Sequence, residues 1–352
     1  MTQLQLQLAS KIRGRNAVIP RRTATTMLAH LLLLTQTSAL QKWVRIAASP
    51  SPPATAKAYP LYPLPASYLP GSTIFLRNSE PRNVEMATKE EYFVASQVSN
   101  DRSSVAAVGA LLRIDGVENA TRDASDQVLA TPRAQPRALR VRCSVVGRCR
   151  VVGIENPEAW RDPSRSEYLV ARVEDVEDDD PEASEAAAAS AAGALRFLAA
   201  SLARAGAEVG MDAAEAGKAL AEAADFAERR DAWAALELWQ RYAATRRAAV
   251  AAYHRAERDE LIVDAKLREG GVLSIPVNEA TLGDEARARL ADLDRRAAEY
   301  VEEMDLADDA FFQACLESTA ANDRLERLAA DALREGGRVA QRAALTRAFN
   351  AS

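Results

Sequence analysis

The stretch YPLYPLPASYLPGSTIFLRNSEPRNVEM, residues 59–86, decides the fold of this chain. Its prolines and the pair Pro70-Gly71 break the backbone, and Ser72–Leu76, which follows at once, is rich in residues that favour strands. Glu85–Glu91 then has the composition of a short helix. The order therefore predicts a turn, a strand and a short helix in succession.

Five apolar runs downstream predict further strands, because turn signals bound each of them. They are Phe93–Val98, Ala107–Ile114, Leu139–Val146, Arg150–Ile154 and Tyr168–Val173. Asp115–Pro136 is polar and predicts a long loop between two strands. Asn156–Pro163 predicts a second loop, in which we expect Trp160 to anchor the chain against the sheet.

These segments resemble, in sequence and in order, the substrate-binding N-terminal domain of the Lon protease family. The matching positions in the opening stretch are Pro63, Leu64, Leu69, Pro70, Gly71, Leu76, Glu80, Pro81, Arg82 and Met86. Two positions depart from the family pattern, with Ser79 where it has Phe and Asn83 where it has Tyr. The family's later blocks are matched by Val108–Ile114, by Val141–Val152 with Gly147 and Arg150, and by Tyr168–Val173.

The resemblance covers about residues 59–180 and implies a small, mostly β domain related to the PUA-like pseudo-barrel. It also implies the family's role, which is to hold protein substrates or peptides without catalysis. Glu80 and Arg82 belong to the matching motif. Two roles stay open for them: hydrogen bonds that fix the turn after the first strand, and contact with a bound peptide.

Residues 1–58 have the composition of a targeting presequence followed by a disordered linker. No acidic residue precedes Glu80, whereas Ser, Thr, Lys and Arg are frequent, as in organellar presequences. The apolar core Met27–Leu34 is too short to span a membrane, and Ser49–Lys57 is an extended linker. The whole resembles the two-part presequences of plastid (chloroplast) proteins, and a mitochondrial presequence or an uncleaved tail is the alternative.

We expect the mature protein to begin between Leu40 and Tyr59. The reason is that the acid-free region and its Pro/Ser linker show no pattern that would form part of a core.

The second half of the chain predicts an all-α domain. Asp178-Asp-Asp-Pro181 predicts a helix start, with Asp180 as N-cap and Pro181 as the first helical residue. Apolar residues then recur at helical spacing in a segment that ends at Gly206, in Met211–Glu228, in Trp233–Leu267, in 285–304, from Phe311 to Gly336-Gly337 and in Arg338–Phe349, with an extended insert at Val272–Val277. The fold class is therefore α+β, with residues 59–180 as the PUA-like β pseudo-barrel and residues 181–352 as a helical bundle.

The sequence lacks the motifs that the enzymatic modules of a Lon protease would need. No Gly-Lys-Ser/Thr step exists for a phosphate loop, since Gly217-Lys218 continues with Ala219. The only histidines are His30, in the presequence, and His254, on a predicted helix. Acidic runs such as Glu174–Asp180 have the pattern of solvated faces. We therefore predict no catalytic activity and no cofactor.

The spacing of the cysteines and the net charge argue against two further functions, metal binding and general nucleic-acid binding. Cys143, Cys149 and Cys315 have no metal-ligand spacing, which predicts reduced thiols and no metal site. In a continuous strand the first two would lie roughly 20 Å apart, too far for a disulfide. The net charge of −5 gives no electrostatic support to general nucleic-acid binding.

Three hypotheses about function follow. The first is a stand-alone, non-enzymatic organellar protein that binds unfolded segments or partner polypeptides, by apolar contacts and main-chain pairing with an extended peptide. The second is the same binding used as a protease adaptor. The third is RNA binding, because PUA relatives bind RNA and the β domain carries several arginines, namely Arg133, Arg137, Arg140, Arg142, Arg148 and Arg150. The acidic run and the net charge argue against RNA, and we expect neither DNA nor, after processing, a membrane as partner.

Overall fold

The computed structural model describes residues 42–47, 53, 55–119, 138–162, 166–205, 213–268 and 282–351, with side chains to residue 344. These residues belong to one compact unit, 41–352. Predictions for most of the presequence, for most of the loop 115–136 and for the insert Val272–Val277 lie outside the described residues.

The described residues of the N-terminal part of this unit form eight strands. They are β1 (Trp43–Arg45), β2 (Lys57–Leu64), β3 (Thr73–Asn78), β4 (Tyr92–Gln97), β5 (Ser104–Ala106), β6 (Val108–Asn119), β7 (Leu139–Ile154) and β8 (Leu169–Asp175). The main sheet has the order β3-β7-β6-β4-β2-β8, and β7 also pairs with β8. Among these described strands, β2 and β4 are the one parallel pair, while β1 and β5 form a separate antiparallel pair.

β7 is one long strand, where the sequence predicted two. Its first half pairs with β3 and its second half with β8, while β6 pairs with it from Leu139 to Arg150. Between Leu111 and Leu112 of β6, which pair with Gly147 and Val145, the register shifts and leaves Val146 as an extra residue on β7. Such a bulge allows β7 to bend without ending. The predicted loop is also wrong at its start, because residues up to Asn119 on β6 continue the ladder.

Six helices complete the described residues. They are α1 (Pro81–Lys89), α2 (Glu185–Ala205), α3 (Ala213–Glu228), α4 (Ala232–Arg268), α5 (Asp284–Glu317) and α6 (Ala321–Ala351), with a 3-10 turn at Pro157–Trp160. α1 starts four residues before the predicted Glu85. The predicted cap at Asp180 is wrong, since the Ser184 hydroxyl accepts the hydrogen bond from Ala187 N at the start of α2.

The two C-terminal helices divide the chain differently from the prediction. α5 runs through Phe311 to Glu317, and α6 runs through Gly336-Gly337, where the sequence predicted a helix end. A Cβ on Gly336 would lie 2.6 Å from Cε1 of Phe197 on α2. This glycine therefore allows two helices to approach closely, which is a different use of glycine from a C-cap.

The sheet has apolar side chains on two sides. One cluster includes Leu76, Phe93 and Val141, and the other includes Leu61, Val151 and Val173. Gly109 on β6 permits the packing of β6 on β4, because a Cβ there would lie 2.7 Å from the carbonyl oxygen of Ala95. Helices α2 to α6 share a third cluster with the long side chains Leu198, Trp239 and Leu325, among others.

Residues 42–47 belong to the folded unit. β1 pairs with β5, and Val44 and Ile46 pack against the cluster that contains Val151. The expectation that residues 1–58 hold no core-forming pattern is therefore wrong at this short strand. A run of six residues between two polar or proline-rich stretches is too short for periodicity to reveal it.

Candidate functional site

Glu80 and Arg82 tie the start of α1 to the 3-10 turn. Arg82 is 8% exposed, and its Nε donates to Oε2 of Glu80 at 2.9 Å. Its Nη1 donates to the carbonyl oxygens of Ala159 (3.2 Å) and Trp160 (3.4 Å), and its Cζ lies 4.6 Å from the centroid of the Trp160 ring. Arg82 thus donates hydrogen bonds within the protein itself, and these bonds hold the start of α1 against the 3-10 turn.

Trp160 is the anchor that the sequence predicted. It packs against the β cluster that contains Val151, and its Nε1 donates to the carbonyl oxygen of Arg102 at 2.9 Å. Arg102 has a φ of 55°, so this hydrogen bond holds the β4–β5 turn in a left-handed backbone conformation.

A buried charge cluster joins the sheet to the helices. Asp178, just after β8, accepts hydrogen bonds from Arg148 on β7 and from Arg324 on α6, the Nη1 of Arg324 lying 3.0 Å from Oδ2. The ring of Trp233 on α4 lies against both guanidinium groups, with its centroid 5.2 Å from Cζ of Arg148 and 4.1 Å from Cζ of Arg324. The acidic run is therefore not wholly solvated, because one of its carboxylates pairs with two buried cations.

The same two arginines satisfy the end of α5. Arg148 donates to the carbonyl oxygens of Leu316 (2.7 Å) and Ser318 (2.6 Å), and Arg324 donates to that of Ser318 at 2.8 Å. Carbonyl groups in the last turn of a helix have no partner within the helix, and cations there complement its dipole. Arg148 was one of the arginines that suggested RNA binding, but its position makes it structural.

The loop between β2 and β3 inserts into the helices. Leu69 is fully buried in the helical cluster. The hydroxyl of Ser67 donates to Oε1 of Gln313 at 2.7 Å, and Nε2 of Gln313 donates to the carbonyl oxygen of Val108 at 2.9 Å. Gln240 on α4 donates to the carbonyl oxygen of Ser67 at 2.9 Å. The only sequence signal for these hydrogen bonds was a glutamine inside an apolar run of α5.

A second buried ion cluster lies within the helices. Arg246 on α4 contacts Asp308 on α5 at 2.6 Å and Glu335 on α6 at 3.0 Å. Burial raises the pKa of Asp308, and Arg246 opposes that shift. For Asp309 beside it, burial raises the pKa to about 7, against the opposing effect of Arg247. The cluster connects three helices, and no sequence motif marked it.

Four exposed residues form what we call the β3–β7 face. Cross-strand neighbours pair Phe75 with Arg142 and Arg77 with Arg140, so the four side chains project from one side of the sheet. Phe75 is 57% exposed, and Cζ of Arg140 lies 4.6 Å from its ring centroid. The alternate residue Leu76 projects to the other side, into the core.

β6 continues this face on the far side of β7. Glu118 lies opposite Arg140, and Gly116 lies opposite Arg142. No heavy atom of the described residues would lie within 4 Å of a Cβ on Gly116, so this part of the structure leaves the surface beside Arg142 open. Of the remaining arginines that suggested RNA binding, Arg133 and Arg137 lie outside the described residues, and Arg150 is opposite Glu174 on β8.

The three thiols and His254 have structural surroundings. Cys143, Cys149 and Cys315 are free and buried, and burial raises the pKa of each thiol to about 12. His254 is partly buried, with Nε2 3.3 Å from Oδ1 of Asp294. Among the residues that the structure describes, no group of three or more His, Cys, Asp or Glu side chains is arranged to hold a metal ion.

One described helix, α2, is long and apolar enough to cross a membrane by length and composition alone. Half of its most apolar window is buried inside the protein. Leu195, Leu198 and Leu202 on this helix are fully buried in the helical cluster, as in the core helix of a soluble bundle, which passes the same test.

No family model matches the chain, and no curated protein matches it. Solved structures do match in part. A Lon N-terminal domain protein from Xanthomonas campestris is 23% identical over 36% of this chain and 65% of its own, with a TM-score of 0.26. The N-terminal domain of the Mycobacterium avium complex Lon protease is 14% identical over 54% of this chain and 98% of its own, with a TM-score of 0.32.

Both of these solved structures are Lon N-terminal domains, the family that the sequence blocks resemble. The match spans less than two thirds of the Xanthomonas campestris chain. At these TM-scores neither structure assigns a role to a residue of this chain.

Proposed function

We propose that this protein is a non-enzymatic binder of extended or unfolded polypeptide segments. The observation that carries the proposal is the free edge of β3. In the described part of the chain β3 pairs with β7 alone, so no strand lies along its other side. An extended peptide can add a strand at such an edge through main-chain hydrogen bonds.

Two features support this use of the β3 edge. β3 lies within the stretch that resembles the opening of the Lon substrate-binding domain. The segments on both sides of it are fixed, since Leu69 is buried in the helices and Arg82 is bonded to the 3-10 turn. A preordered edge loses less conformational entropy on binding than a mobile one.

The proposal extends to the fold of the β domain, to a role as a protease adaptor and to the location of the protein. A PUA-like pseudo-barrel is consistent with the pairing of β7 with both β6 and β8. A role as an adaptor for a protease would use the same binding of polypeptides. A plastid location, or alternatively a mitochondrial one, rests on the composition of residues 1–58.

RNA binding is the second candidate, and the β3–β7 face is the observation that favours it. An exposed aromatic ring among arginines is the pattern that single-stranded RNA requires. The net charge of −5 opposes it.

Titration at two salt concentrations separates these functions. The probes are a permanently unfolded, reduced and carbamidomethylated protein and an RNA hairpin. We expect binding of the unfolded protein with a shallow dependence on salt, and no ATP or peptide hydrolysis. RNA affinity that depends on phosphate contacts falls steeply with salt. Tight, salt-sensitive RNA binding without polypeptide binding would refute the proposal.

A further inference from the structure

We infer that the edge of β3 and the β3–β7 face together bind an extended acidic segment of another polypeptide, which adds a strand to the sheet. The inference rests on the proposed function, and it adds the part that the β3–β7 face takes in binding and the chemistry of the partner.

The geometry of an added strand determines which of its residues meet the face. Strands in a sheet lie about 4.8 Å apart, and alternate side chains project to the same side. A strand beside β3 would therefore place every second side chain next to Phe75 and Arg77. The remaining side chains would project to the side of Leu76, which is lined by the apolar cluster.

The charges of the face favour carboxylates at those alternate positions. Arg77, Arg140 and Arg142 lie on it, and the guanidinium of Arg140 reaches across from β7 to the ring of Phe75 on β3. Arg140 therefore already extends toward the free edge. A Glu side chain from an added strand would meet it above Phe75, while the stem of the Glu covers the exposed part of the ring.

The same face fits RNA less well. It carries one exposed aromatic ring, whereas single-stranded RNA is usually held by stacking of several bases. Glu118 lies on it opposite Arg140, and Asp115 accepts hydrogen bonds from Arg113 and Ser144 at its margin. These carboxylates repel a phosphate backbone, but a peptide that pairs by its main chain can place its acidic residues away from them.

The experiment uses the full chain and a short fluorescent peptide that alternates Glu with Val and spans the six residues of β3. Two matched peptides accompany it. One has Lys in place of Glu, and the other carries N-methyl groups at alternate residues, which remove main-chain donors on one edge. Binding is measured by fluorescence anisotropy, and backbone hydrogen exchange of residues 73–78 locates the site.

We expect the Glu peptide to bind and to slow exchange within Thr73–Asn78. The Lys peptide should bind at least about tenfold more weakly, because like charges meet at the face. N-methylation on the pairing edge should cost at least about tenfold as well, because several main-chain hydrogen bonds are lost together.

Variants of the face test the charges. The double variant Arg140→Gln with Arg142→Gln should weaken binding of the Glu peptide by about 3- to 30-fold, as expected for two exposed ion pairs. Arg150→Gln is the matched control, since it removes an exposed arginine from the part of β7 that does not pair with β3. Arg140→Glu with Arg142→Glu should reverse the preference and bind the Lys peptide better than the Glu peptide.

Each result bears on one of the two claims. If the wild type binds the unfolded protein but not the Glu peptide, or if the double variant equals Arg150→Gln, the inference fails and the proposed function stands. If the wild type binds no polypeptide at all, both fail. RNA that displaces the Glu peptide with higher affinity, without protection of Thr73–Asn78, would assign the face to RNA and overturn the inference.

Discussion

At the scale of single residues, Asp178 stabilises the fold, although it lies in an acidic run with the pattern of a solvated face. Two buried guanidinium groups depend on this one carboxylate. Arg148 and Arg324 also donate to helix-end carbonyl groups, but a carbonyl group carries no full charge. Loss of the carboxylate would leave two cations with too little compensation in a buried site.

We therefore expect Asp178→Ala to lower the free energy of unfolding by about 3–5 kcal/mol, the range for breaking a buried ion pair. Urea unfolding followed by circular dichroism measures this. Glu177→Ala, at the exposed neighbouring position, is the control and should change stability by less than about 0.5 kcal/mol. Equal effects of the two variants would contradict the role of the cluster.

We expect Asp309 to make the stability of the protein depend on pH. Burial raises its pKa to about 7, from 3.8, so the folded chain holds this proton more tightly than the unfolded chain. Stability should then fall as the pH rises from about 4 to about 7 and stay lowered above that. Asp309→Asn removes the penalty and should stabilise the protein by on the order of 2–4 kcal/mol at pH 8, with no gain near pH 4.

Thermal unfolding at both pH values checks this prediction. Asp292→Asn is the comparison, because a hydrogen bond from Arg295 lowers the pKa of exposed Asp292. That variant should show no gain at pH 8. A stability profile of Asp309→Asn parallel to that of the wild type would show that the carboxyl group titrates normally.

At the scale of elements, the free strand β3 depends on one buried side chain. Leu76 is 8% exposed and packs in the β cluster, while its neighbour Phe75 faces solvent. Leu76→Asp should destabilise the protein by several kcal/mol, because an unpaired charge would be buried. Phe75→Asp should cost less than about 1 kcal/mol. Chemical unfolding of the two variants tests the side assignment, and similar losses would contradict it.

The glycine pair in α6 offers a second matched comparison. Gly337→Ala adds a Cβ in open space and should stabilise the helix by up to about 1 kcal/mol. Gly336→Ala places a Cβ 2.6 Å from the ring of Phe197, so the ring must move and the gain is lost. We expect Gly336→Ala to be less stable than Gly337→Ala by about 1–2 kcal/mol, as thermal unfolding will show.

These elements also indicate how far sequence can predict this fold. Strands and helices with clear periodicity, such as Tyr92–Gln97 and Ala232–Arg268, lie within a few residues of their predicted bounds. The helix end predicted at Gly336-Gly337 was wrong because the sequence does not show which helix will approach a glycine. β7 was divided because a bulge and a strand end share the same local signal, an isolated glycine.

The candidate site was predictable only in its motif. Glu80 and Arg82 were found by resemblance, and Trp160 by its size. The β3–β7 face depends on the register between Thr73–Asn78 and Leu139–Ser144, which are far apart in sequence. The Asp178 cluster brings together three distant segments, so no local pattern distinguishes it from the solvated acids around it.

At the scale of the whole molecule, β1 limits how the chain can be processed. A protein that begins at Gln41 retains the β1–β5 pair and the contacts of Val44 and Ile46. One that begins at Ala48 loses them and should be less stable by about 2–3 kcal/mol, from the apolar area exposed. Thermal unfolding of the two truncated forms checks this.

The natural start can be compared with that result. We expect N-terminal sequencing of protein purified from its source to give a residue before Trp43. An intact Met1 would contradict cleavage of a presequence, and a start after Ile46 would show that β1 is dispensable.

The edge position of β3 has a mechanical consequence. A segment added beside it would lie along the strand axis, so a pull along that segment loads all hydrogen bonds of the ladder together. A pull from the side would open them one after another. β7, bonded to β3 at one end, is fixed to the helices by Arg148 at the other. The pairing between β3 and the added segment would therefore resist tension along the segment. It would release the segment when the force is applied from the side.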